Sequence, residues 1–199
     1  FAPDLVFHDF PGTARAHRVI GRRKPYALWV HGLEVWPPGP RPDYARAIIG
    51  AKAVFANSQH TLDRLRLTVP GLANVHLCWL GTEHDDTAST EIAGVESRKN
   101  IVLFVGRNDE MFAKGQDILI AVWPEVVKRI PDAELHFIGG GTHLDHLRSL
   151  AAASPASASI RIFGALPDRE VNALYGQAKI FAMPSEIEGF GLVYAEAMS

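Results

Sequence analysis

Cysteine is almost missing from this chain: Cys78 stands alone among 199 residues. A single thiol excludes an internal disulfide and any multi-cysteine metal site. No apolar run approaches the roughly 20 residues that a membrane-spanning helix needs. Neither sign of charge dominates. The 20 Lys and Arg set against 22 Asp and Glu leave a net charge of -2, so composition gives no reason to expect a nucleic-acid partner. Three phosphate- or metal-binding patterns are also lacking. The dinucleotide pattern GxGxxG fails at Gly139, because Leu144 stands where the last glycine belongs. GxxxxGK[ST] does not occur. There is no DxD triplet, so a divalent metal held in that way is not indicated.

What is present is a sequence able to bury a core. Hydrophobic residues make up 47% of it, which argues against disorder. Short apolar runs alternate with amphipathic stretches. DLVFHDF reads as a strand, followed by a weak helix from Thr13 to Gly21. YALWVHG, AVFANS and NVHLCWLG read as further strands, with helices at DYARAIIGA and QHTLDRLRLTV. Ser58 is placed to cap the second of these helices. The strands are nearly continuous in apolar residues, as in a parallel sheet covered on both faces.

From Gly81 to Asn100 the chain turns polar and loses periodicity, which marks an interdomain linker. The alternation then restarts. Strands are expected at IVLFVG, AELHFIGGG, SIRIFG and KIFAMPS. Helices are expected at GQDILIAVWPEVVKRI, with Pro124 inside it, at HLDHLRSLAAA, and from Pro167 to Gln177. Thr142 and Asp145 have the spacing of a capping box. The expectation is α/β: two Rossmann-like, doubly wound parallel-sheet domains, at residues 1–85 and 100–199 with a linker at 86–99. Both ends read as the middle of a domain, so a fragment of a longer protein is expected.

Ligands of such sheets bind beyond the carboxyl ends of the strands. Gly106-Arg107, Gly139-Gly140-Gly141, Gly164 and Ser185 to Gly191 follow strands there. Gly189 and Gly191 leave backbone N–H groups open where a helix should begin, a position that attracts phosphate. The plain alternative is a tight turn that needs glycine for its conformation. Glu188 and Glu196 bracket this turn, and carboxylates accept hydrogen bonds from sugar hydroxyls. Their plain alternative is a helix-dipole partner and a solvated residue. Arg107 and Lys114 place two cations at the mouth of the second sheet, suited to a diphosphate or simply to the surface. His31 ends a strand of the first domain, where a histidine can orient an acceptor hydroxyl or serve as a buried structural residue. The other eight histidines show no metal spacing and read as surface residues.

The segments VGRNDEMFAKGQD, ELHFIGGG and IRIFGALPDREVNALYGQAKIFAMPSEIEGFGLVYAEAMS together resemble the family 4 retaining glycosyltransferases of GT-B fold, the glycosyl transferases group 1. The likeness is strongest from Asn100 to Ser199, carried by Glu188 and Glu196 within E-G-F-G-L-x-x-x-E-A-M, and weaker from Pro3 to Asp85.

The resemblance implies roles. Glu188 bonds donor-sugar hydroxyls near the reacting carbon, and Glu196 bonds the ribose. Arg107 and Lys114 hold the diphosphate. The backbone of Gly189, Phe190, Gly191 and Leu192 lines phosphate and sugar. Phe163, Gly164, Ala165 and Leu166 pack on the nucleobase side, and His31 serves the acceptor. It also implies transfer with retention, without a metal or other cofactor. The donor is a UDP-, GDP- or ADP-sugar, and the acceptor is a glycan, lipid or small-molecule hydroxyl. The enzyme is expected to be cytoplasmic, with peripheral contact at the inner membrane face. A sugar-nucleotide epimerase of the same architecture and a non-catalytic nucleotide-sugar-binding fragment stay open.

Overall fold

The computed structural model describes residues 4–18, 24–36, 38–82, 98–109, 114–186 and 188–198. Most of the expected linker therefore lies outside the described residues. Contacts divide the chain into two compact units. One is Phe1–Thr82 with Glu188–Leu192, and the other is Glu83–Ile187 with Val193–Ser199.

The first unit carries a parallel sheet of four strands: β1 (Val6–His8), β2 (Tyr26–Val30), β3 (Ala53–Ala56) and β4 (Val75–Leu77), ordered β1-β2-β3-β4. The registers pair Val6 with Tyr26, Leu28 with Val54 and Val54 with Val75. Period-2 alternation sends Leu28, Val30, Val54 and Ala56 into one core. The helices α2 (Pro42–Ile49) and α3 (Gln59–Thr68) close that core with Ile48, Leu62 and Leu65. Ser58 caps α3 as expected, its hydroxyl accepting from the Thr61 N–H at 3.1 Å. The weak helix placed at 13–21 begins earlier. Pro11 opens a single turn, α1 (Pro11–Ala14), which tightens into a 3-10 turn at Arg15–Arg18. Proline's fixed φ makes it a natural first helical residue. The Phe10 carbonyl accepts from both Thr13 and Ala14.

The second unit holds β5 (Lys99–Val105), β6 (Glu134–Ile138), β7 (Ile160–Gly164) and β8 (Ala178–Phe181), all parallel, in the order β7-β6-β5-β8. Its helices are α4 (Gln116–Arg129), α5 (Leu144–Ala153), α6 (Asp168–Gln177) and α7 (Leu192–Met198). Two cores lie against this sheet. Phe104, Leu135 and Phe137 pack with Ile120 and Trp123 of α4 and Leu147 of α5. Ile101, Leu103 and Ile138 pack with Val171 and Leu174 of α6. Helices on both faces explain why these strands read as continuous apolar runs rather than alternating ones. Pro124 sits inside α4, as the sequence indicated.

Two expectations are corrected. Thr142 and Asp145 do not form a capping box. The residue before α5 is His143, with no side-chain cap, and the Thr142 hydroxyl meets the His143 ring instead, at 3.3 Å. Backbone bonds start this helix, from His143 N–H to Asn108 and from Leu144 N–H to Gly141. Nor are all the remaining histidines on the surface. His136 is 5% exposed, because it points into the sheet beside Phe163 and shares the Glu134 carboxylate with Arg161.

Candidate functional site

The strand order of the second sheet fixes where a ligand can enter. The chain steps from β5 to β6 to β7, then returns to the far side of β5 for β8. The reversal falls between β5 and β8, and such a switch point opens a crevice beyond the carboxyl ends of the two strands. Among the described residues, those that follow β5 (106–109 and 114–115) and those that follow β8 (182–185) border it. They touch at Gly115 and Pro184, where a methyl group added to Gly115 would lie 2.6 Å from Pro184 Cγ and collide with its carbonyl. Lys114 belongs to this crevice, its Cδ only 3.2 Å from where a side chain on Gly106 would begin. Arg107 stands at the rim. Its side chain is 80% exposed, and Nε donates to Asp109 at 3.1 Å.

Behind Arg107 lies a polar hub that sequence reasoning missed. Asn108 and Gln116 are each 1% exposed. Asn108 Nδ2 donates to the Gly139 carbonyl at 2.7 Å. Gln116 Nε2 donates to the Arg107 carbonyl at 3.1 Å and to Asn108 Oδ1 at 3.2 Å. Main-chain bonds complete the knot: Gly106 N–H to Ile138, Asn108 N–H to Gly140, and Gly139 N–H to Gly164. The triple glycine following β6 wraps directly over the tip of β5. Any side chain on Gly139 would strike the Gly106 carbonyl, and any on Gly141 the Asn108 carbonyl. The available signal was two uncharged amides flanking a strand-end turn, one of them in the first turn of a helix that otherwise buries apolar residues.

The segment Phe163–Leu166 ends β7 and meets this knot. The Gly164 carbonyl accepts from Gly139, and Ala165 Cβ lies 3.5 Å from the side-chain position of Gly140. Phe163 lies on the sheet face against His136, with ring centroids 5.2 Å apart. Leu166 packs into the core under α6. Glu196 sits on α7, where Tyr175 Oη of α6 donates to its Oε2 at 3.4 Å. Burial, then the Glu196 charge and that bond, push the Tyr175 phenol well above its ordinary range.

The remaining candidates lie in the first unit. Glu188 to Leu192 group there with His31. Gly189 approaches the His31 carbonyl so closely that a methyl group on it would stand 2.5 Å from that oxygen. Phe190 lies near Trp79, with centroids 6.3 Å apart. Buried Gly191 leads into Leu192, the first residue of α7. His31 is held on three sides. Its N–H donates to Glu34 Oε1, its carbonyl accepts from Asn57 Nδ2 at 2.9 Å, and its Nε2 meets the Asp9 carbonyl at 2.7 Å. A carbonyl only accepts, so in the neutral ring the proton belongs on Nε2 and Nδ1 is the acceptor. A cleft of about 210 Å³ in this unit, lined by Arg15, Tyr26, Asp43 and Arg46 among others, includes none of these residues. Among the described residues no three His, Cys, Asp or Glu gather as a metal site, and no helix is long and apolar enough to cross a membrane.

The family model described as "Glycosyl transferases group 1" matches residues 85–199. The chain is 34% identical over 185 residues to the GDP-mannose-dependent alpha-(1-6)-phosphatidylinositol monomannoside mannosyltransferase of Mycobacterium tuberculosis, covering 84% of this chain and 47% of that protein. The protein of the same name from Mycolicibacterium smegmatis is 36% identical over 91 residues, 42% of this chain and 24% of its own length. Among solved structures, the pneumococcal O-GlcNAc transferase GtfA in complex with UDP and GlcNAc superposes with a TM-score of 0.77 at 18% identity, over 98% of this chain and 40% of that one. The two Rossmann-like units are those of GT-B enzymes. The chain belongs to the glycosyl transferases group 1 family. It spans less than half the length of the curated relatives it matches.

Proposed function

We propose that this member of the glycosyl transferases group 1 family moves a sugar from a nucleoside-diphosphate donor to an acceptor hydroxyl, with retention and without a metal. The observation that carries the reading is the cation-bearing crevice at the switch point between β5 and β8, with Lys114 inside and Arg107 at its rim. Departure of the leaving group creates a nucleoside diphosphate anion, and fixed cations stabilise charge that develops in the transition state. Arg107 and Lys114 take that part. Glu188 binds hydroxyls of the donor sugar near the reacting carbon. Glu196 binds the ribose, and Phe163 to Leu166 border the base.

On the acceptor side, His31 Nδ1 is oriented by the Nε2 bond to Asp9 and accepts from a hydroxyl. The acceptor hydroxyl attacks from the face the diphosphate leaves, which preserves configuration. Relatives named as GDP-mannose-dependent phosphatidylinositol mannoside transferases favour GDP-mannose as donor and a glycolipid as acceptor. The reaction then belongs at the cytoplasmic surface of a membrane.

Thermal shift with GDP, UDP and their sugars tests the donor site. The wild-type chain should be stabilised by at least one of them, and the Arg107→Ala, Lys114→Ala double variant should lose that stabilisation. Equal stabilisation of both proteins overturns the diphosphate assignment. A second reading is donor binding without turnover. Product formation from radiolabelled GDP-mannose and a phosphatidylinositol mannoside acceptor separates the two.

A further inference from the structure

Two histidines of the first unit meet nitrogen to nitrogen. His8 is the last residue of β1, and His17 lies in the 3-10 turn Arg15–Arg18. His8 Nε2 and His17 Nδ1 stand 3.2 Å apart. The two rings are perpendicular, with centroids 5.2 Å apart. Buried Tyr26 backs both of them, its ring centroid 5.6 Å from that of His8 and 4.7 Å from that of His17. Tyr26 is anchored in turn, its hydroxyl donating to the Ala47 carbonyl at 2.6 Å. Both imidazoles are half-buried.

The far side of His17 fixes its proton. Nε2 lies 2.8 Å from the Lys24 carbonyl, and a carbonyl only accepts, so Nε2 carries the hydrogen. In the neutral ring Nδ1 then holds a lone pair, directed at His8. A backbone carbonyl behind the distal ring nitrogen is the arrangement that orients a metal-ligating histidine. The separation fits as well. Two nitrogens bound to one zinc ion at about 2.0–2.1 Å with tetrahedral angles stand about 3.3 Å apart. In the metal-free pair His8 donates its Nε2 proton to His17. Its Nδ1 is neither hydrogen-bonded among the described residues nor closed to solvent. The proton can therefore pass through water to Nδ1 and release the Nε2 lone pair.

We propose that His8 and His17 form a two-histidine site for a divalent transition-metal ion, which binds His8 Nε2 and His17 Nδ1 and ties the 3-10 turn to β1. Imidazole suits zinc, nickel and copper ions, whereas magnesium and calcium take oxygen ligands. No third His, Cys, Asp or Glu joins the pair among the described residues, so water fills the remaining positions. Burial, then His17, hold the His8 pKa below 6.5, which keeps its ring neutral at neutral pH, and the charge of neighbouring Asp9 favours a cation. The site is built within the first unit, so its test needs no nucleotide sugar.

Calorimetric titration of the tag-free 199-residue chain with zinc chloride near neutral pH reads the site, with magnesium chloride as control. The wild type should bind zinc and not magnesium. His8→Gln and His17→Gln should each weaken the tightest zinc ion by at least the roughly tenfold that loss of an outer-shell partner costs a metal site. His143→Gln combined with His146→Gln removes the imidazoles at the start of α5, with ring centroids 6.4 Å apart, and should leave that ion in place. Absence of zinc binding, or binding that survives loss of His8 or of His17, overturns the proposal. Nitrogen-15 spectra of the wild-type histidine rings need no substitution. Of the nine histidines, one should take the first equivalent of zinc through Nδ1 and one through Nε2. Coordination of that equivalent through Nε2 atoms alone overturns the pairing.

Discussion

Gly115 packs its α-carbon against Pro184, so closely that a methyl group built there would collide with the proline carbonyl. Gly115 also has φ of 78°, a left-handed conformation that side-chain-bearing residues adopt at a cost. Both effects oppose the same substitution. Gly115→Ala should therefore destabilise the chain by about 2 kcal/mol or more and part the two loops that flank Lys114. Gly176 is the matched control. It lies within α6, has no neighbour within 4 Å of an added methyl group, and is not in a left-handed conformation. Gly176→Ala should stabilise by up to roughly 1 kcal/mol. Urea melts of the two variants against wild type decide it, and equal midpoints would contradict the packing argument.

Asn108 ties the tip of β5 to the glycine loop through Nδ2 and receives Gln116 on Oδ1. Asn108→Ala leaves the Gly139 carbonyl without that donor and one Gln116 bond unmade, in a site closed to water. The expected loss is about 2–3 kcal/mol, seen as a melting temperature lowered by several degrees. Nucleotide stabilisation should fall as well, because Arg107 is carried on the same turn. A wild-type melting curve would show that the hub is dispensable.

Among the described residues, Ser58 is the one side-chain cap on the helices α1, α2 and α3. Ser58→Ala should cost about 1 kcal/mol, and Ser58→Asp should restore most of it. Chemical denaturation of the three proteins measures both directions.

Acid should weaken the fold through Glu134. The Arg161 guanidinium first, and then His136, hold its carboxyl below the ordinary value of 4.5. The unfolded chain therefore binds the proton more readily than the native one. The stabilisation is fully present above pH 4.5 and is lost as pH falls through the native value. His8 acts in the same direction at higher pH. Burial first, then His17, depress its pKa below 6.5, partly opposed by Asp9. Stability should thus fall as pH drops from 6.5 towards the native His8 value, then level off. Glu134→Gln should flatten the lower limb of the stability profile and His8→Gln the upper one; unchanged profiles would refute the assignments.

Residue patterns revealed the architecture because parallel strands buried on both faces are written as apolar runs, as in LHFI of β6 and IVLFV of β5. They singled out Arg107, Lys114 and the closing glutamates as candidates because polar residues just after such strands have few structural duties. They did not reveal Asn108, Gln116 or His136. A buried polar residue has the same letter as an exposed one, and only its partners, here Gly139, Arg107 and Glu134, distinguish it. The capping box at Thr142 misled for a related reason. Its spacing is a local signal, and the start of α5 is set instead by Asn108, which lies more than thirty residues away in the chain.

The glycine run after β6 is fastened to the tip of β5 mostly through main-chain atoms. Frame and lining are therefore separable. Exchanging the side chain of Asp109 or Thr142 should leave in place the main-chain bonds that fasten the glycine run to β5.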